Sequence, residues 1–263
     1  MTRTLTLTSK FLIPATVVAL LGTVLSGCHD AAAGLMKHQT SFVLALLDVS
    51  GTTNTARESY LLDLTSIMDQ LQSGDSLWAD QITENSLATS RVSLKLDLPT
   101  FDMLSENRDE YNIQLTELRR KARATAEALM NGKTQKTTIL DSLLVAQKVF
   151  HGARASTASN RVLVLFSDMR EDSDRYVFDR EVLTAFRSKQ IVAREQADHR
   201  IADLKGVRIY VAGATADRNG NPEQIRRVQA FWQAYFQAAG TELADEHYAA
   251  SLLDFALPGS APR

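Results

Sequence analysis

The sequence predicts one α/β domain built on an open, mostly parallel sheet with helices on both faces and one antiparallel edge strand. Three apolar runs, Ser41–Leu47, Arg161–Phe166 and Val207–Ala212, are unbroken rather than alternating, which suits strands covered on both faces. Stretches with apolar residues at helical spacing lie between them, and strands alternating with helices favour a parallel sheet. The composition agrees. Of 263 residues 44% are hydrophobic and 23% charged, with 12 Gly and 5 Pro, a balance that excludes disordered and collagen-like chains.

Taken in order, the first run ends at Asp48. Residues 53–72 then place Tyr60, Leu61, Leu64, Ile67, Met68 and Leu71 on one helical stripe. Ser90–Leu98 alternates apolar and polar, as a half-exposed edge strand does. Residues 104–130 read as a long charged helix with a thin stripe of Leu104, Tyr111, Leu115, Leu118, Ala122 and Leu129; it is either a solvated helix outside the domain or an arm for a partner. Residues 137–150 form the next helix. The last helix, 222–239, opens on Asn221-Pro222, a cap followed by proline in the first turn, and stops at Gly240. Its stripe of Ile225, Val228, Phe231, Trp232, Tyr235, Phe236 and Ala239 reads as a core face. No internal repeat or low-complexity linker follows residue 40.

Lys plus Arg number 29 against 31 acids, a net charge of −2, which leaves no basic footprint for nucleic acid. One cysteine excludes an internal disulfide framework and a Cys-rich zinc site. The five histidines form no local metal pattern.

The N-terminus carries an address. Arg3 and Lys10 precede an apolar run, Phe11–Leu25, too short to span a bilayer comfortably and of signal-peptide length. It ends Leu25-Ser26-Gly27-Cys28, and Cys28 is the single cysteine. This stretch resembles the bacterial lipoprotein signal, which implies cleavage after residue 27 and acyl chains, palmitate among them, on Cys28; more than one chain gives firm anchoring. The expected organisation is a signal peptide at 1–27, a tether at 28–40, the domain at 41–250 and a tail at 251–263. The expected location is the cell envelope, facing the periplasm or exterior. His29 stands where an aspartate signals inner-membrane retention in Gram-negative lipoproteins, a weak pointer to the outer membrane.

In open α/β sheets, ligands bind outside the carboxyl ends of the strands. There the sequence places Asp48-Val49-Ser50-Gly51-Thr52, then Phe166-Ser167-Asp168, with Thr137-Thr138-Ile139-Leu140-Asp141-Ser142-Leu143 between them at a helix start. Carboxylates and hydroxyls are hard oxygen ligands suited to Mg²⁺ or Mn²⁺. The D-x-S-x-T segment, the later threonine and the strand-end aspartate resemble the metal-ion-dependent adhesion site of von Willebrand factor A (vWA) domains. The T-T-I-L-D-S-L segment and Gly74-Asp75 ahead of a strand add to the likeness, which covers roughly residues 41–250. The resemblance implies hydroxyl ligation by Ser50, Thr52 and Thr137, with Asp48 and Asp168 holding the cation directly or through water. Thr138 is an alternative to Thr137. Two departures stand out: Thr52 replaces the usual second serine, and Met169 stands where glycine commonly follows the aspartate. Two carboxylates and three neutral hydroxyls leave a six-coordinate cation short of ligands. An acidic residue from a protein partner would complete the shell, giving metal-dependent binding without catalysis. A vWA scaffold that has lost its metal is the alternative.

The same opening, Leu46-Leu47-Asp48-Val49-Ser50-Gly51-Thr52, also resembles that of haloacid-dehalogenase phosphatases. There Asp48 would be the nucleophile, but Ser50 occupies the position of the acid/base aspartate. Ala214-Thr215-Ala216-Asp217 offers one late carboxylate rather than a pair. Asn131-Gly132-Lys133-Thr134 matches only the tail of a phosphate-binding loop, because Glu127 stands where its first glycine belongs; it reads as a turn. Glu171, Asp172 and Asp174 read as a solvated loop beside the site, and Asp141 as a structural contact.

Overall fold

The computed structural model describes residues 38–88, 92–102, 107–214, 221–252 and 255–258. The chain divides into two units, Met1–His38 and Gln39–Arg263, and the fold below is that of the second. The signal peptide 1–27, Cys28, most of the tether and Asp217 lie outside the described residues. Among the described residues no helix is long and apolar enough to cross a membrane.

Among the described residues six strands form one sheet: β1 (Ser41–Asp48), β2 (Ser76–Ile82), β3 (Leu94–Asp97), β4 (Asn160–Phe166), β5 (Val207–Ala212) and β6 (Tyr248–Ala249), in the order β3-β2-β1-β4-β5-β6. All neighbours are parallel except β2 and β3. The fold class is therefore the expected one, antiparallel edge included. β3 alternates buried Leu94 and Leu96 with exposed Lys95 and Asp97, the pattern of a strand with one face in solvent. β1 is buried along its whole length, as its unbroken apolar run requires.

Among the described residues the longer helices are α1 (Arg57–Gln70), α2 (Arg108–Met130), α3 (Ile139–Phe150), α4 (Ala185–Ala197) and α5 (Pro222–Ala238), with a single short turn of helix at Ala153–Ser156 between α3 and β4. Successive β1 side chains point to opposite faces, and each face has its own core. Val43, Ala45 and Leu47 pack with Tyr60, Leu64 and Ile67 of α1 and with Ala126 and Leu129 of α2. Phe42, Leu44 and Leu46 pack with Leu143 of α3, Ile191 of α4 and Phe231, Trp232 and Phe236 of α5. The reason is handedness. From β1 the chain crosses to β2 on one side, and from β4 it crosses to β5 on the other. Right-handed crossovers in opposite directions put their helices on opposite faces. The direction reverses between β1 and β4, so a crevice opens at their carboxyl ends.

The two longest of these helices follow their sequence signals. In α5, the Asn221 side chain accepts from Glu223 N at 3.0 Å, with proline in the first turn. α2 buries only Ala122, Ala126, Leu129 and Met130 and leaves Ile113 exposed, so it lies on the domain as a surface helix. The segment after β6 also packs on the α1 face. Leu257 is buried, its N–H donates to Gln70 Oε1 at 3.1 Å, and Leu252 N donates to Asp63 Oδ2 at 3.0 Å.

Candidate metal centre

Strand register builds the centre. Leu47 pairs with Phe166, so the next residues, Asp48 and Ser167, stand side by side past the strand ends. Ser167 Oγ donates to Asp48 Oδ2 at 2.9 Å. Asp48 Oδ1 accepts from Ser50 N at 2.9 Å and from Thr137 Oγ1 at 3.3 Å. The Ser50 and Thr52 hydroxyls are 2.9 Å apart, and the Thr52 side chain lies near enough to the Asp168 carboxyl to favour its charged form. The five oxygen-bearing side chains singled out from sequence thus gather at the carboxyl ends of β1 and β4. Of the two threonines, Thr137 faces Asp48, while Thr138 Oγ1 donates to Thr83 O at 2.5 Å.

The loop is held from below. Thr53 Oγ1 donates to Asp48 O at 2.8 Å and to Ser50 O at 3.1 Å, closing the turn that leads into α1. Asp48 is 0% exposed and Asp168 6% exposed, whereas Gly51 and Thr52 are exposed, so the site opens to solvent at its hydroxyl rim. Burial pushes the Asp48 carboxyl above the ordinary carboxylate range, against the hydrogen bonds from Ser50, Ser167 and Thr137. Asp168 is pushed up to about 6, first by burial and then by the charge of Asp48, with the Arg170 N–H bond opposing.

Met169 takes the place of a small residue after Asp168, and its backbone is left-handed, at φ 64°. Its side chain is buried, and its carbonyl accepts from Trp232 Nε1 at 2.7 Å. The strained turn is thus pinned by α5. Gly213, after β5, has φ +102°, and a Cβ there would lie 2.0 Å from Tyr60 Oη. The Tyr60 hydroxyl is buried without a hydrogen-bond partner. Burial and the charges of Asp48 and Asp168 raise its pKa.

Sequence reasoning missed several residues. Ser167 carried no metal signal, yet it holds Asp48. Glu171, read as part of a solvated loop, is 2% exposed and accepts from Leu140 N at 3.1 Å at the start of α3. Burial pushes its carboxyl up to about 8. The reason is the fold of the loop. Asp172 exchanges backbone hydrogen bonds with Thr137, at 3.1 and 2.9 Å, and this turns Glu171 inward. Asp174 does face solvent, paired with Lys136, and Asp141 is a structural contact, paired with Arg200. A cavity of about 300 Å³ lined by Lys136, Thr138, Asp141, Glu171, Arg175 and Arg200 lies beside Thr137.

Among the described residues no cluster of three His, Cys, Asp or Glu side chains forms a metal site. Any cation here is held through hydroxyls as much as through carboxylates. The donors fit a hard divalent cation: all are oxygens, and the charge of Asp48 raises the proton affinity of Asp168, a cost that a positive charge nearby would offset.

No family model and no curated protein matches the sequence. In structure the chain is similar to the human COPII-coat protein Sec24c, at 13% identity and TM-score 0.34, over 77% of this chain and 32% of that one. It is also similar to a von Willebrand factor type A protein from Catenulispora acidiphila, at 13% identity and TM-score 0.30, over 79% of this chain and 44% of that one. The chain therefore spans less than half the length of either protein. The α/β assignment rests on the strand order and directions described above, not on these likenesses.

Proposed function

We propose that this protein is a lipid-anchored cell-envelope component whose domain is a vWA-type binding module, gripping a protein partner through Mg²⁺ or Mn²⁺. The observation that supports it is that two buried carboxylates, Asp48 and Asp168, stand at the carboxyl ends of neighbouring strands on either side of the switch point, with the paired hydroxyls of Ser50 and Thr52 beside them. Asp48, Ser50, Thr52, Thr137 and Asp168 would hold the cation. The cation would supply a Lewis-acidic position open to one further oxygen ligand. This chain's residues do the rest: Ser167 and Ser50 N fix the Asp48 carboxylate, Thr53 closes the loop, and the exposed rim at Gly51 and Thr52 admits a carboxylate from the partner. Nothing in this role requires a nucleophile. Both Asp48 oxygens already accept hydrogen bonds, and Ser50 offers a hydroxyl where a phosphatase would need a second carboxyl.

A ligand that binds only the folded state raises its stability, by about 2.7 kcal/mol at a hundredfold excess over Kd. Titrating the chain with Mg²⁺ or Mn²⁺ into the millimolar range should raise its Tm, and Asp48→Ala should abolish the rise. An equal rise in the variant, or none in the wild type, overturns the metal assignment.

A further inference from the structure

Arg57 is the first residue of α1, and its guanidinium makes contacts that its place in the sequence does not foretell. Nη2 donates to Val49 O and, at 3.3 Å, to Ser50 O. Nη1 donates to Met130 O and Gly132 O, both at 2.9 Å. One side chain thus joins two segments far apart in sequence, the loop carrying Asp48, Ser50 and Thr52 and the C-terminal end of α2. Among the described residues Arg57 has no carboxylate partner; its acceptors are all backbone carbonyls.

On the α2 side, Met130 O lies in the last turn of the helix and Gly132 O just beyond it. The last turn of a helix leaves its C=O groups without intrahelical partners and carries partial negative charge. Here Gln81 Nε2 takes Leu129 O at 2.6 Å, and Arg57 takes Met130 O and Gly132 O. Packing at this end is tight: a Cβ on Gly132 would lie 2.0 Å from Gln81 Nε2. Arg57, Gln81 and Gly132 therefore seat the end of α2 in one position, and the planar guanidinium carries that position to the carbonyls of the loop. A lysine keeps the charge but not the rigid fork that reaches both segments.

We infer that Arg57 is a positioning residue that locks the Val49–Ser50 backbone to the end of α2, so that this helix end sets the geometry of the hydroxyl donors at Ser50 and Thr52. The effect on cation binding rests on the metal reading above; the mechanical link does not. Residues that orient metal ligands typically change metal affinity 10- to 100-fold when lost.

The test uses the full chain as wild type, Arg57→Met, Arg57→Lys and Asp48→Ala, with two measurements. The first is amide hydrogen exchange without metal. Arg57→Met should speed exchange at Ser50 and at Asn131–Gly132 together, by about tenfold or more, leaving the central β1 and β4 amides unchanged. Arg57→Lys should show the same change to a smaller degree, and it keeps the test open should the methionine variant fold poorly. Exchange unchanged in both segments, or raised equally throughout the sheet, overturns the lock. The second is calorimetric titration with Mn²⁺ alone. Arg57→Met should weaken affinity about tenfold or more, Arg57→Lys less, and Asp48→Ala should abolish binding. Wild-type affinity in Arg57→Met beside a dead Asp48→Ala overturns the inference while sparing the metal site. If the wild type takes up no Mn²⁺, the metal reading fails, and the lock stands or falls on the exchange data.

Discussion

Glu171 shows how far one side chain can depart from what its neighbours in sequence suggest. Set among Asp172 and Asp174, it reads as a solvated acid, but backbone pairing between Thr137 and Asp172 turns it under α3. Burial raises its pKa from an ordinary 4.5 to about 8. The folded chain then holds a proton that the unfolded chain releases. Stability from this group is complete below about pH 4.5 and is lost as pH rises toward 8. With metal chelated, Asp168 and Asp48, whose carboxyls burial also raises, add changes of the same sign, so across the window from pH 6 to 8 the share owed to Glu171 is the part that its substitution removes. Urea unfolding should show the wild type losing on the order of 2 kcal/mol across that window. Glu171→Gln keeps an acceptor for Leu140 N and should flatten the curve. A slope unchanged by the substitution would place the titration elsewhere.

Among the elements, α5 was legible because its stripe is apolar and aromatic throughout, and α4 was not. The buried face of α4 consists of Ser188, Ile191, Val192 and Glu195, and a carboxylate on that face breaks the hydrophobic period on which recognition depends. Only the tertiary structure supplies its compensation. Glu195 is 0% exposed, and its oxygens accept from Arg175 Nη2 and Tyr176 Oη at 2.8 Å and from Arg200 Nε at 3.1 Å. Arg200 continues to Asp141 of α3, so the network ties α3 and α4 to the loop that follows Asp168. Removing one member of a buried ionic network leaves the others uncompensated. Glu195→Ala should therefore cost roughly 3 kcal/mol in chemical denaturation. A loss below about 0.5 kcal/mol, the range of an ordinary surface change, would show that the network does not hold these elements.

For the molecule as a whole, the α1-face core depends on the segment after β6, which meets the start of β1. Ser41 Oγ donates to Pro258 O at 3.2 Å, Asn160 Nδ2 donates to the same carbonyl at 3.2 Å, and Leu257 fills the α1 face. Ser41 N donates to Asp75 Oδ1 at 2.8 Å, fixing the start of β1 against the turn before β2. Phe255 stacks edge-on against Tyr210 at 4.9 Å. Ending the chain after Ser251 should lower stability by at least about 2 kcal/mol, the worth of one fully buried leucine. A truncated chain with an unchanged unfolding midpoint would mean that the α1-face core is complete without this segment.

The sequence by itself determined the sheet class, the parallel strands β1, β4 and β5, the edge strand β3, and the order in which Asp48, Ser50, Thr52, Thr137 and Asp168 occur along the chain. Unbroken apolar runs, helical stripes and strand-end polar residues are local patterns, and they survive whatever the rest of the chain does. The tertiary structure decided what depends on register and on contacts between distant segments. Pairing of Leu47 with Phe166 set Ser167 against Asp48, the turn at Thr137 brought its hydroxyl, and not that of Thr138, to Asp48, and the same turn buried Glu171. Arg57 reached the end of α2 across more than seventy residues of sequence. Such contacts leave no periodic trace in the sequence, because one side chain meeting one carbonyl across the fold requires no pattern among its neighbours.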